Sequence, residues 1–249
     1  DVDPAAGTLR DVERVMQVVR LGEGVDRTGR LSRAALERTF AAVQEYAQAC
    51  ERLSVERVRF VATSASRDAE NRDEFVDGVR ALIGVPPQVV PGSEEAALSF
   101  TGATRELVAD GLPGPFVVVD LGGGSTEVVR GTSAVEAALS VDIGCVRMTE
   151  RHLADDPPSS MQIEAARRDI EAALDRVAEV VPLTGASALV GLAGTVTTIT
   201  ACALGLDEYD ADRIHRTRLP VDRVREACDR LLHLSRAERA ALPFMHPGR

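Results

Sequence analysis

The 249-residue sequence contains no tryptophan, only two tyrosines and six phenylalanines, and no lysine anywhere along its length. With aromatics at 3% of the chain, a packed interior has to be built from Val, Leu, Ile and Ala, which suits stacked α/β layers. The missing lysine, set against plentiful arginine, marks a GC-rich coding sequence and not a function. Cysteine is scarce too. Cys50, Cys145, Cys202 and Cys228 lie far apart with no paired spacing, which argues against a zinc site or a disulfide frame and predicts reduced core thiols. No apolar run approaches membrane-spanning length and no signal segment precedes the first element, so the expectation is a cytoplasmic protein with no membrane partner. A basic surplus is also absent. The net charge of −10 argues against nucleic acid as a partner, since a generic coat protein needs a basic footprint. A polyanionic substrate then requires a local arginine cluster inside an acidic shell.

What is present is concentrated in residues Val117 to Val129, which read Val-Val-Val-Asp-Leu-Gly-Gly-Gly-Ser-Thr-Glu-Val-Val. A β-branched run predicts a buried strand with Asp120 near its end. Gly122, Gly123 and Gly124 then allow a tight turn with no Cβ in the way. Ser125 and Thr126 add hydroxyls, and Glu127 opens a second apolar run that returns as a strand. Bare backbone N–H groups at such a turn suit an anion such as phosphate. The flanking carboxylates suit a divalent cation or an attacking water. A plain glycine-rich hairpin with a polar tip is the competing reading; Asp and Glu on either side of the turn favour phosphate.

Along the chain, alternation over 9–22 predicts a strand or strand pair. Helical spacing through Leu36, Phe40, Val43, Tyr46 and Ala47, with Ser32 as N-cap, predicts a helix over 32–53. Short strands are expected at 58–62 and 89–90, with helices over 71–83 and 93–109. The Asp110-Gly-Leu-Pro-Gly-Pro115 segment breaks the last of these and predicts a domain boundary at 114/115. Beyond the glycine hairpin come a strand at 135–143, an amphipathic helix over 160–180, a strand at 188–192 and a helical, arginine-rich tail from 220 to Pro243. Strands alternating with helices on both sides of the break predict a two-domain α/β protein of 249 residues, divided 1–114 and 115–249.

Three further segments bear on chemistry. Ser93-Glu94-Glu95-Ala96 begins a helix, where acidic residues complement the dipole whether or not they catalyse. Gly191-Leu-Ala-Gly194-Thr195 ends a strand at a helix N-terminus, where free N–H groups hold an anion or Thr195 simply caps. Thr63-Ser64-Ala65-Ser66-Arg67 is either a capped helix start or a phosphate clamp through Arg67.

Taken in order, Ala62-Thr-Ser-Ala-Ser-Arg67 with Asn71-Arg-Asp-Glu-Phe75, Pro91-Gly-Ser-Glu-Glu-Ala96, Val-Val-Asp-Leu-Gly-Gly-Gly-Ser-Thr-Glu127, Asp142-Ile-Gly-Cys-Val-Arg-Met-Thr-Glu150 and Gly191-Leu-Ala-Gly-Thr195 resemble the Ppx/GppA phosphatases. These are the exopolyphosphatases and guanosine pentaphosphate phosphohydrolases, and the likeness is greatest to the short two-domain actinobacterial exopolyphosphatases. The resemblance runs through essentially the whole chain. It implies two ribonuclease-H-like domains of the actin, sugar kinase and heat-shock ATPase type, with the active site in the cleft between them. It implies Glu95 as catalytic base, Asp120 and Glu127 as carboxylates that hold Mg²⁺ or assist the base, and Gly122, Gly123, Gly124 and Ser125 as the cradle of the terminal phosphate. Gly194 and Thr195 would face a phosphate, with Arg67 as a substrate clamp. Polyphosphate or guanosine pentaphosphate is the implied substrate, Mg²⁺ or another divalent cation the implied cofactor, and a homodimer an implied assembly.

The family pattern opens on a strand with an Asp-x-Gly-Ser/Thr-Asn turn, which this sequence does not contain, and it continues past His246-Pro-Gly-Arg249. The sequence thus reads as part of a longer chain, expected to hold substrate from one side and to turn over weakly or not at all. Two other classes stand beside the hydrolase. An actin-like kinase shares the glycine hairpin but not the Pro91-Gly-Ser-Glu-Glu95 turn; a non-catalytic alarmone sensor would have little use for Glu95, Asp120 and Glu127.

Overall fold

The computed structural model describes residues 2–3 and 8–246. Its first half is mostly helical. Two-residue strands β1 (Val2–Asp3) and β2 (Thr8–Leu9) pair antiparallel. The strand expected across 9–22 stops there, and residues 10–20 form no regular element. A strand persists only where a neighbour takes its ladder hydrogen bonds. Among the described residues no strand pairs with 10–20, and Val12, Val15 and Met16 stay exposed.

Helix α1 (Val25–Thr28) leads to α2 (Arg33–Arg52), which starts where Ser32 accepts a hydrogen bond from the Ala35 N–H, as the sequence predicts. Strand β3 (Val61–Ala62), helix α3 (Ser64–Asp68), helix α4 (Arg72–Ile83) and strand β4 (Gln88–Val89) follow. β3 and β4 lie parallel, Val61 beside Gln88 and Ala62 beside Val89. Both strands are shorter than, or shifted from, the apolar runs that announce them. Leu36, Val43, Ala62, Phe75 and Val79 close one core around this pair.

Helix α5 (Gly92–Ala109) leaves β4 and crosses onto the second sheet, which holds β5 (Phe116–Leu121), β6 (Thr126–Gly131), β7 (Val135–Val141) and, after α6 (Cys145–His152) and α7 (Ser160–Val180), β8 (Ala188–Leu192). The order is β7-β6-β5-β8, with β5, β6 and β7 an antiparallel meander and β8 parallel to β5. Alternation along β5 sorts its side chains between two cores. Phe116 and Val118 pack under Ala96 and Phe100 of α5. Val117 faces the opposite way, into the cluster with Ala173 and Val177 of α7. Ser159 caps α7 in a reciprocal pair with Gln162. Helices α8 (Ala193–Leu204), α9 (Ala211–Ile214), α10 (Val221–His233) and α11 (Arg236–Ala240) complete the described chain around Ala201, Leu206, Ala227 and Phe244.

The mixed sheet covered by helices on both faces is the α/β architecture expected of a ribonuclease-H-like, actin-type unit. All four cysteines are free, but only Cys202 belongs to the core; Cys145 heads α6 and is exposed, against the expectation of buried thiols. Among the described residues no helix is long and apolar enough to cross a membrane.

Candidate functional site

In open α/β sheets ligands collect outside the carboxyl ends of parallel strands, and this molecule has two such corners. In the second sheet, β5 and β8 are in register with Asp120 beside Leu192, so both strands leave at one edge. β5 runs into the Gly122–Gly124 turn, and β8 runs into Ala193-Gly194-Thr195 at the start of α8. In the first half, β3 delivers Thr63 to Arg67 and β4 delivers Pro91 to Glu95.

The glycine turn is shaped from behind by α6. Cys145 N–H donates to Gly122 O at 2.9 Å, Val146 and Arg147 N–H to Gly123 O at 2.9 and 3.2 Å, and Gly144 N–H to Gly124 O at 3.2 Å. Every carbonyl of the turn is therefore spent on α6. In a trans peptide the C=O and the next N–H point oppositely, so the N–H groups of Gly123, Gly124 and Ser125 are turned away from α6. Those three N–H groups make no hydrogen bond within the described residues. The close approach needs glycine at 144, where a Cβ would stand 2.3 Å from the Gly123 backbone. On the other side, a Cβ at Gly124 would meet Ser64 Oγ at 2.6 Å, so the turn touches the first half directly.

Asp120 and Glu127 are cross-strand partners on β5 and β6. Helix α5 brings the third carboxylate to them. Gly92 allows this, because a Cβ there would meet the Ser140 side chain on β7 at 2.6 Å. Ser99, one helical turn after Glu95, donates to Asp120 Oδ2. Glu127 is 1% exposed, and its Oε1 accepts hydrogen bonds from Ser125 at 2.8 Å and Ser140 at 2.7 Å. Burial pushes the Glu127 carboxyl above the ordinary glutamate value; the Ser140 and Ser125 hydroxyls pull it down, the Asp120 charge pushes it up, and Arg67 pulls it down. Burial likewise raises Glu95, the Glu127 charge adds to this, and Arg67 and Thr63 oppose it. Arg67 Nη1 lies 3.3 Å from Glu95 Oε2 and donates to Val90 O at 2.9 Å.

Glu95, Asp120, Glu127 and Arg67 thus converge, and the glycine turn adjoins them. Gly194 and Thr195 stand at the same sheet edge, one strand over. Ser125 is buried, and since its hydroxyl is spent on Glu127, its N–H is what it offers an anion. Glu94, by contrast, pairs with Arg59 at 2.9 Å. Sequence reasoning missed Ser99 and Ser140, and named Thr63 and Ser64 only as part of the segment that carries Arg67. Lone serines and threonines carry no sequence signal of their own; the i, i+4 spacing of Glu95 and Ser99 on α5 was the one available hint. Beyond Arg67, the sequence does not rank its arginines as candidates for the site. Arg216 pairs with Asp110 and Glu106 at the C-terminal end of α5, and Arg72 lies 3.9 Å from Asp73, whereas Arg147 sits against the turn itself. A cavity of about 190 Å³ opens between the halves, lined by Arg20, Thr63, Ser64, Gly123, Gly124 and Arg147 among others.

A family model described as the Ppx/GppA phosphatase family matches residues 2–249. Exopolyphosphatase 2 of Mycobacterium tuberculosis is 50% identical over 251 residues, which cover 98% of this chain and 78% of its own. The crystal structure of an exopolyphosphatase-like protein superposes with a TM-score of 0.92 at 46% identity, covering 95% of this chain and 76% of that one. A Ppx/GppA family member from Aquifex aeolicus superposes with a TM-score of 0.74 at 30% identity, covering 94% of this chain and 74% of its own. With its motifs, its sheet order and its match along nearly the full length all in agreement, this chain belongs to the Ppx/GppA phosphatase family.

Proposed function

We propose that this chain is an exopolyphosphatase that removes the terminal phosphate of inorganic polyphosphate by attack of water and releases orthophosphate. One observation carries the reading: three turn N–H groups without acceptors among the described residues lie beside three converging carboxylates and one arginine. The N–H groups of Gly123, Gly124 and Ser125 cradle the terminal phosphate oxygens, and the α8 start at Gly194 and Thr195 offers a second anion position. Glu95 acts as general base. Its raised proton affinity suits it to take a proton from water while the water oxygen bonds to phosphorus and the bridging P–O bond breaks. Arg67 orients Glu95 and offsets charge on the phosphate.

Asp120 and Glu127 fit Mg²⁺. They present hard carboxylate oxygens from facing strands, and among the described residues they belong to no group of three or more His, Cys, Asp or Glu side chains that could hold a metal ion unaided. Mg²⁺ typically takes one or two carboxylates and completes its shell with water and substrate phosphate oxygens. When bound it would neutralise charge on the phosphate oxygens. The cleft reading treats 1–114 and 115–249 as two units in a cytoplasmic protein.

Phosphate release from polyphosphate, guanosine pentaphosphate and ATP, with Mg²⁺ and with chelator, tests the proposal. Release from polyphosphate that stops with chelator is the expected result. Release from ATP coupled to a phosphorylated product, or binding of polyphosphate with no release, would overturn it.

A further inference from the structure

Arg147 has been placed only by its contact with the glycine turn, yet it holds more of the molecule than that. Its side chain is 12% exposed and its donors go to three different elements. Nε donates to Gly124 O at 2.8 Å, Nη1 to Asp26 Oδ1 on α1 at 2.7 Å, and Nη2 to Asp68 Oδ2 at the end of α3 at 2.6 Å. The first acceptor belongs to the phosphate turn; the other two belong to the first half. Asp68 directly follows Arg67, which pairs with Glu95.

The same helix reinforces the span. Glu150 accepts from the Gly24 N–H at 2.9 and 3.1 Å, and Arg151 pairs with Asp26 at 2.9 Å and with Asp169 at 2.8 Å. Positions 147, 150 and 151 share one face of α6, spaced i, i+3 and i+4, so a single helix face reaches α1. A guanidinium can do this where an ammonium cannot, because its planar fork serves several acceptors in fixed directions. Arg147 also joins the Gly144 N–H in holding the Gly124 carbonyl, and that peptide carries the Ser125 N–H on its opposite side.

We propose that Arg147 is a positioning residue that latches the two halves across the cleft and, through the Gly124 carbonyl, fixes the direction of the turn N–H groups that receive phosphate. The phosphate part rests on the exopolyphosphatase reading; the latch does not. Two variants probe it: Arg147→Lys keeps the charge but not the three-way reach, and Asp68→Asn removes one first-half anchor while leaving Arg147 in place. Orthophosphate is titrated against each folded protein and followed at the Gly123, Gly124 and Ser125 amides by NMR, alongside hydrogen exchange without ligand.

Each variant is expected to bind orthophosphate about tenfold more weakly, since a site of oriented donors is sensitive to small misplacement. Exchange should quicken at 122–125 and 24–28. The double variant should be no worse than the worse single one, because both break one device; a general loss of stability at independent sites would add instead. Binding within twofold of wild type in both variants, with unchanged exchange, overturns the proposal. If the wild-type protein binds no orthophosphate, the exopolyphosphatase reading fails. Exchange then decides the latch alone: faster exchange in both variants upholds it, and unchanged exchange sinks it.

Discussion

Residues 61–95 and 116–195 each bring functional groups to the carboxyl edge of two parallel strands, but with very different amounts of sheet beneath them. The first pair, β3 and β4, is two residues long in each strand. The second, β5 and β8, is six and five residues long and continues into a meander packed on both faces. The short pair supplies Thr63, Ser64, Arg67 and Glu95, groups that reach the glycine turn and the carboxylates from the side. The sheet built on the long pair supplies the phosphate turn, the half-buried Asp120 and the buried Glu127, two carboxylates whose placement has to be held against their own repulsion. Chemistry that costs more electrostatically sits on the better-built platform. Helix α5 joins the two, with its first turn at the short pair and its apolar face on the long one.

The largest effect expected on this division comes from its catalytic asymmetry. Glu95→Gln should lower phosphate release by roughly 10²–10⁴-fold, the usual contribution of a positioned base. Wild-type turnover in that variant would remove Glu95 from the role and leave the short pair as a binding wall only.

Next comes backbone crowding in the two halves. Alanine at Gly144 puts Cβ 2.3 Å from the Gly123 backbone, which has no room to yield. A loss of about 3 kcal/mol is expected by denaturant titration, at the upper end of overpacking costs. Alanine at Gly78 puts Cβ equally close to the Phe40 ring, but a side chain can turn aside and the helix gains from losing a glycine. That variant should lose about 1 kcal/mol or less. Equal losses would mean the two halves are equally rigid.

Hydrogen exchange should separate the sheets directly. Amides of β5 and β6 are expected to exchange only with global unfolding, and those at Val61, Ala62 and Val89 through smaller openings. Matching protection would erase the comparison.

The smallest effect is a pH ordering of site against latch. The raised Glu95 carboxyl must be ionised to act, so activity should fall as pH drops through a value above the ordinary 4.5. The Arg151 hydrogen bond, with help from Arg147, holds Asp26 below its ordinary 3.8, and His152 and Arg151 do the same for Asp169. Carboxyls lowered in the folded state contribute stability that is full above their unfolded values and lost as pH falls through the folded ones. Activity should therefore fail at a higher pH than far-UV ellipticity does. Simultaneous loss would show that unfolding, and not Glu95, sets the acid limb.

The apolar runs and caps made most elements legible. Ser32 capped α2 and α7 opened at Ser160 as the pattern predicted, because both signals are local. The stretch at 10–20 was not legible, since alternation specifies a strand's faces but not its neighbours. Glu95, Asp120 and Glu127 could be named from their motifs. That Ser99 and Ser140 hold two of them could not, because those contacts join residues from different strands and helices.

The sequence by itself determined the glycine turn, the carboxylates around it and the alternation of strands and helices, since each depends on residues close together in the chain. Tertiary structure alone decided that the turn's carbonyls are spent on α6, that its N–H groups are thereby turned outward, and that Arg147 ties them to Asp26 and Asp68. Orientation of a peptide group is set by what packs behind it, and here that partner arrives about twenty residues later along the chain.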